Sequence, residues 1–101
     1  MPPTRHRFTA TLWRWEGPAA WYFVSLPHRV SDEIADMVEG RTGGFGSVRV
    51  DVVVGSSRWS TSLFPDSRES TYLLPVKKAV RRAEHLDEGG DVDVTLTVVQ
   101  P

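Results

Sequence analysis

The chain has 101 residues, no cysteine and a formal net charge of −1. This length predicts one domain, 1–101, whose core is large enough to be stable without a disulfide or a bound metal. The lack of cysteine excludes a disulfide scaffold, a thiolate zinc site and a cysteine nucleophile. The near-zero charge gives no overall attraction to nucleic acid or anionic lipid. Because no apolar run could span a bilayer and the first residues lack a signal-peptide core, we expect a cytoplasmic protein with no membrane partner.

The first two predicted elements are strands. Arg5 to Trp15 alternates between apolar and polar residues, and Glu16-Gly17-Pro18 then breaks the pattern. Trp21 to Leu26 is aromatic and β-branched, as strands prefer, and it ends at Pro27. The first strand presents one apolar face, made of Phe8, Ala10 and Leu12.

A short helix is predicted next. Ser31 or Asp32 could cap its N-terminus with a side-chain oxygen. Gly40 suits the left-handed position that often ends a helix. The apolar stripe of this helix has i, i+3, i+4 spacing and consists of Ile34, Met37 and Val38.

The middle of the chain predicts three strands. Ser47 to Val54 carries a valine at every second position, which gives one continuous apolar face. Gly55-Ser56-Ser57 forms a turn, and Arg58 to Phe64 returns as the next strand. After an exposed loop, Thr71 to Leu74 is a further strand.

The C-terminal part predicts a second helix and a last strand. Pro75 is placed at the start of the helix, where its missing N–H has no cost, and Gly89-Gly90 ends it. Asp91 to Val99 alternates as a strand. The helix is expected to bury a face made of Val76, Ala79, Val80, Ala83 and Leu86.

The tally is about six strands and two short helices, so the chain is mainly β. An open sheet of this size would leave long valine-rich edges free to pair with another chain. Closure into a barrel removes those edges, and we therefore predict a closed β-barrel.

Several segments in order along the chain resemble the bacterial domain-of-unknown-function 1905 family. The segments that carry the resemblance are Ala20–Pro27, Gly44–Val50, Thr61–Asp66, Leu74–Arg81 and Gly90–Val94. The resemblance implies a closed six-stranded β-barrel of complex topology. It implies little about activity, since the family name records no established function.

Gly90-Asp91 at the end of the second helix looks like the "GD box" of cradle-loop barrels, which include the AbrB-like DNA-binding domains. The expected role is local: glycine permits a positive φ, and the aspartate accepts backbone N–H bonds from the adjoining loop. A nucleic-acid-associated protein is one alternative function by this analogy. The basic residues of the second helix, Lys77, Lys78, Arg81 and Arg82, are more simply a solvated face, and nucleic acid is not the expected partner.

The preferred function is a non-enzymatic binding or interaction barrel with an anionic-ligand site. Arg49 on the valine strand would meet Lys77 and Arg81 if the second helix packs across the barrel rim, near the glycine-rich loop Gly43–Gly46. With Trp59 and Ser62 from the return strand, these five residues form the predicted ligand-binding set. The partner is an unidentified small anionic ligand or a protein, and both a monomer and a homodimer remain open.

The many large rings are expected mostly in the core, because each one buries a large apolar area. Trp13 and Trp15 share the strand face opposite Leu12, and that face either is exposed or packs on a partner or an apolar ligand.

Enzymatic chemistry, hydrolysis in particular, is the less favoured alternative. Its candidate residues are Ser62, Asp66, Tyr72 and Asp91, but none of the three histidines stands in a nucleophile–base motif with them. The sequence predicts no cofactor and no metal site.

Overall fold

The computed structural model describes residues 5–38 and 46–99. In chain order the elements of this part are β1 (Arg5–Arg14), β2 (Tyr22–Ser25), α1 (His28–Val38), β3 (Val48–Val54), β4 (Ser57–Asp66), β5 (Thr71–Pro75), α2 (Lys78–Ala83) and β6 (Asp91–Val98). All six strands lie within about two residues of their predicted positions.

The strands form a closed barrel in the order β1-β2-β5-β4-β3-β6, and every neighbouring pair is antiparallel. Closure depends on β1, whose first seven residues pair with β6, from Arg5 opposite Thr97 to Thr11 opposite Asp91. Its last three residues pair with β2. The predicted six-stranded barrel is therefore confirmed, and the first and last strands leave no free edge between them.

The barrel interior is filled by small aliphatic side chains rather than by rings. The valines of β3 alternate inward, with Val50 and Val52 at most 1% exposed. The helix α1 adds Val30, Ile34 and Val38 to the same cluster. Phe8 is the one aromatic side chain among the buried core residues of the described chain, so the expectation that most large rings lie in the core is wrong. An interior enclosed by six strands is narrow, and valine and leucine fill it.

The first helix begins three residues earlier than its predicted cap. His28 is its first residue, and the N–H of Ser31 already donates to the carbonyl of Pro27 at 2.9 Å. Ser31 is buried within the helix, so the prediction that Ser31 or Asp32 caps it is wrong. Gly40, the predicted terminator, lies outside the described residues.

The second helix begins later than predicted and is short. Pro75 is the last residue of β5, opposite Phe23 of β2. The pairing of β5 with β4 ends at Leu73. An N–H at position 75 would therefore have had no hydrogen-bond partner in β4, and the proline costs no ladder bond there. Lys77 is the N-cap of α2, and Val80 is its one buried residue. Of the predicted apolar face, Ala79 and Ala83 are exposed, while Val76 and Leu86 lie outside the helix.

The Gly-Asp turn is held by backbone groups rather than by the aspartate. The positive φ of this turn, 89°, belongs to Gly89 and not to Gly90 of the Gly-Asp pair. The N–H of Gly89 donates to Leu12 O at 2.8 Å, and Leu12 N–H donates to Gly90 O at 2.9 Å. The Asp91 carboxylate instead accepts from the Thr11 hydroxyl at 3.4 Å, so the predicted backbone partners of this carboxylate are wrong.

Candidate functional site

A cleft of about 540 Å³ lies beside α2, and we call it the α2 cleft. Its walls come from the start of β2, the middle of β4, the end of β5 and the helix itself. The lining residues that matter for its chemistry are Trp21, Tyr22, Trp59, Phe64, Lys77 and Arg81.

Trp59 lines the cleft because of the strand register. Val52 and Trp59 are direct partners in the β3–β4 ladder, and Val52 points into the core. Cross-strand partners share one side of the sheet, so Trp59 points inward as well. It packs against the core but is only half-buried. The indole therefore offers part of its surface to whatever enters the cleft.

Arg81 is the cation of the cleft that makes two defined contacts with the barrel. Its Nε donates to the carbonyl oxygen of Val76 at 3.1 Å. Its guanidinium carbon also lies 3.8 Å from the centre of the Tyr22 ring, a cation–π contact. These two contacts fix the plane of the guanidinium and leave its terminal nitrogens without a hydrogen bond among the described residues.

Two lysines add positive charge at the rim of the α2 cleft. Lys77 and Lys78 are both exposed, and neither forms an ion pair within residues 5–38 and 46–99. None of the described residues that line the cleft is an aspartate or a glutamate. The cleft thus combines aromatic walls with three cations that no lining carboxylate neutralises.

The structure brings together three of the five predicted ligand-binding residues. Trp59, Lys77 and Arg81 line the α2 cleft, whereas Arg49 and Ser62 do not. Arg49 and Ser62 are cross-strand partners in β3 and β4, two positions of the ladder that face the outside of the barrel. In the glycine-rich loop, residues 43–45 lie outside the described residues.

Sequence reasoning missed Tyr22 and Trp21 as parts of the site. The sequence predicts both only as strand residues, yet Tyr22 supplies the ring under Arg81 and Trp21 supplies part of the wall. The only signal for either was its aromatic character. Nothing local in the sequence indicates that residues 22 and 81 meet.

A second depression, of about 320 Å³, lies on the outer surface of β1, β2, β5 and β4. Its apolar surface, which we call the aromatic face, consists of Trp13, Trp15, Trp21, Phe23, Phe64 and Leu73. Trp13 and Phe23 point outward because their neighbours Leu12 and Val24 point into the core. Trp21 and Phe64 line both depressions and form the ridge between them.

The four enzymatic candidates are not arranged as a catalytic set. Ser62 lies beside Arg49 on the outer surface, Asp91 accepts from Thr11, and Asp66 accepts from the N–H of Arg68 at 3.1 Å. Burial raises the pKa of the Tyr72 phenol above its ordinary value, so this phenol is a weaker acid than a free one.

The histidines of the described chain do not complete a catalytic set either. His6 contacts Glu33 at 3.2 Å, and His28 contacts the carbonyl of Glu69 at 2.8 Å. Among the described residues, no group of three or more histidine, aspartate or glutamate side chains is placed to hold a metal ion.

These features define the class of protein: a small closed antiparallel barrel with one cleft of cationic and aromatic side chains and one aromatic outer face. The family model described as "Domain of unknown function (DUF1905)" matches residues 8–96, and the chain belongs to this family. No curated protein matches the chain. In the part of the chain that the structure describes, no helix has the length and hydrophobicity to cross a membrane.

Proposed function

We propose that this protein is a non-enzymatic binding barrel. Its α2 cleft would take a small ligand that has a flat apolar body and an anionic group. The observation that carries the proposal is the juxtaposition of Lys77, Lys78 and Arg81 with aromatic walls, in a cleft with no acidic lining residue among those described. We place the protein in the cytoplasm, as its lack of cysteine suggests.

The size of the cleft supports a small-molecule ligand. Sites for small molecules have volumes of about 300–1,000 Å³, apolar walls and a few placed polar groups. The volume of about 540 Å³ falls within that range. An apolar ring would displace water from the half-buried Trp59 and from the Trp21–Phe64 ridge, which favours binding in proportion to the area covered.

The charges support an anion as the polar part of the ligand. An arginine held in a fixed plane binds carboxylate or phosphate oxygens through two parallel N–H bonds. Arg81 is held in this way by Tyr22 and the Val76 carbonyl. Because its orientation is fixed before a ligand arrives, little conformational entropy is lost on binding.

The experiment titrates the labelled protein with 2-naphthoate and with its neutral analogue 2-naphthamide, followed by amide chemical shifts. We expect 2-naphthoate to bind more tightly, with shifts at Tyr22, Trp59 and α2. Lys77→Gln combined with Lys78→Gln should weaken naphthoate binding about three- to tenfold and leave naphthamide binding unchanged. Arg81→Gln should act in the same direction.

Two matched variants control for general loss of charge. Arg82→Gln removes an exposed cation from the same helix, and Arg49→Gln removes the predicted cation that does not line the cleft. Both should leave the affinity unchanged. Equal binding of the acid and the amide, or equal loss in all the variants, would contradict the proposal.

The same variants distinguish nucleic-acid binding from ligand binding in the α2 cleft. A duplex-binding surface would use Arg82 as well as Arg81, because phosphate contacts add up along a basic helix face and weaken with salt. Binding of duplex DNA at low salt that falls with Arg82→Gln as much as with Arg81→Gln would favour that alternative over the cleft.

A further inference from the structure

The outer surface of the barrel is divided into an apolar half and a polar half. Across β1, β2, β5 and β4, the outward rows of the register are Trp13–Phe23–Pro75 and Ser25–Leu73–Phe64. On the opposite side, outward positions of β1, β6, β3 and β4 pair polar groups, as in the hydrogen bonds from Thr9 to Asp93 and from Ser60 to Asp51.

The aromatic face is both exposed and fixed in place. Trp21, Phe64 and Trp15 are 48%, 44% and 37% exposed, and they are three of the four large hydrophobic residues exposed in the described chain. Phe23 stacks on Trp21 with ring centres 5.9 Å apart and contacts Trp13 at 5.3 Å. The Trp13 indole N–H donates to Ser25 at 2.9 Å. A contiguous apolar surface of this kind marks a contact site.

We propose that the aromatic face is the interface of a homodimer, in which it packs on the same face of a second copy. The charges at its margin favour this occupant. Asp66 and Arg68 are the charged side chains that line the depression, and they are of opposite sign and two residues apart. In a two-fold interface, a contact of one residue with a second residue of the other copy occurs twice, with the copies exchanged. Asp66 of each copy can therefore pair with Arg68 of the other.

The charge balance argues against a strongly charged partner on this face. An acidic or basic partner would be matched by an excess of the opposite charge, as the α2 cleft has for anions. The margin of the aromatic face instead carries one charge of each sign, Asp66 and Arg68, and neither side chain forms an ion pair within the described chain. Such a surface is self-complementary.

The geometry also suits a second copy. Two sheets pack face to face about 10 Å apart, with side chains from both layers interdigitating. A standard interface buries about 800 Å² per partner, which is about one eighth of the 6600 Å² surface of this chain. Four strands of one half-barrel can supply an area of that size, and obligate dimer interfaces are the more apolar ones.

The test measures the oligomeric state of the full chain by sedimentation equilibrium between about 1 and 200 μM. We expect a dimer whose dissociation constant rises at least tenfold in Leu73→Glu, because this places a charge in the middle of each aromatic face. The matched control is Val53→Glu, an outward aliphatic position of β3 on the polar half. It should leave the constant within about twofold.

A charge exchange tests the two-fold pairing. Asp66→Arg alone and Arg68→Asp alone should each weaken the dimer, and the double variant should restore it to within about threefold of the parent. Thermal melts of each variant check the fold, since Asp66 also accepts the N–H of Arg68. A monomer at 200 μM, equal effects of Leu73→Glu and Val53→Glu, or a double variant as weak as the singles would overturn the proposal. None of these readouts depends on the α2 cleft.

Discussion

Arg81 of α2 lies over the ring of Tyr22 in β2, with the guanidinium carbon 3.8 Å from the ring centre. The two residues are 59 positions apart in the chain, so this contact connects the start of β2 to the helix that flanks the cleft. It places a cation beside an aromatic wall before any ligand is present. The same contact ties α2, which buries only Val80, to the barrel.

Arg81→Met should lower the free energy of unfolding by about 1–2 kcal/mol. The variant keeps an apolar stem of similar length but removes the cation–π contact and the hydrogen bond to Val76. Urea denaturation followed by circular dichroism measures the change. The control is Arg82→Met on the exposed side of α2, expected within about 0.5 kcal/mol of the parent. Equal losses in both variants would show that the Tyr22 contact contributes nothing.

Gly55→Ala should destabilise the fold more than Gly89→Ala. Both glycines have a positive φ, 58° and 89°, so alanine costs about 1–2 kcal/mol at either position. Nothing lies within 4 Å of a Cβ at Gly89, but a Cβ at Gly55 would overlap the Glu84 carboxylate. That carboxylate accepts from the Ser57 hydroxyl at 2.7 Å, and the bond would be displaced as well.

The double variant of Gly55→Ala with Glu84→Ala separates the cost of the positive φ from the cost of the overlap with Glu84. Its loss of stability should be smaller than the sum of the losses in the two single variants, because the overlap disappears with the carboxylate. Melting temperatures of the four proteins measure this. Strict additivity would rule out the clash.

Leu74→Ala should lower the free energy of unfolding much more than Leu73→Ala, although the two residues are adjacent in β5. Leu74 is fully buried, so truncation should cost about 2–5 kcal/mol in the free energy of unfolding. Leu73 points outward and is half-buried, and its truncation should cost about 1 kcal/mol or less. Unfolding in urea at low micromolar concentration gives both values. Similar costs would mean that β5 does not separate an inner from an outer side.

Stability should fall at alkaline pH, in part through Tyr72. Burial raises the pKa of this phenol above 10.0, so the folded chain holds the proton at pH values where the unfolded chain has lost it. The stabilisation is therefore complete below about pH 10 and is lost as the pH rises through the folded-state pKa. Tyr72→Phe should flatten the decline of melting temperature above pH 10.

The control for that series is Tyr22→Phe, since the chain contains only two tyrosines. It removes a phenol at the Arg81 contact and should leave the alkaline decline in place. A Tyr72→Phe protein whose melting temperature falls with pH as steeply as the parent's would contradict the assignment.

The barrel could be predicted from the sequence because period-two alternation is a local signal. The four valines at 48, 50, 52 and 54 identify an inward face whatever lies opposite. Helix boundaries were harder, since capping residues compete with tertiary contacts. Pro75 was predicted to begin α2, but the β2–β5 ladder extends through it.

The candidate site was predictable only in part. The cationic character of α2 is visible in Lys77, Lys78 and Arg81, and these residues do line a cleft. Arg49 was grouped with them by charge, but the strand register places it on the outer surface beside Ser62. Charge is a property of a single residue, whereas convergence depends on strand order, and the order β2-β5-β4 cannot be read from periodicity.

The closure of β1 on β6 also determines how the barrel responds to mechanical force. Arg5 and Thr97 are cross-strand partners, so the two ends of the described barrel leave it side by side, about 5 Å apart. A host protein could carry the barrel as an insert in one of its loops without spreading that loop. Tension applied at these two ends would break the seven residue pairs of the β1–β6 ladder one after another, starting from Arg5 and Thr97, instead of loading all of them at once.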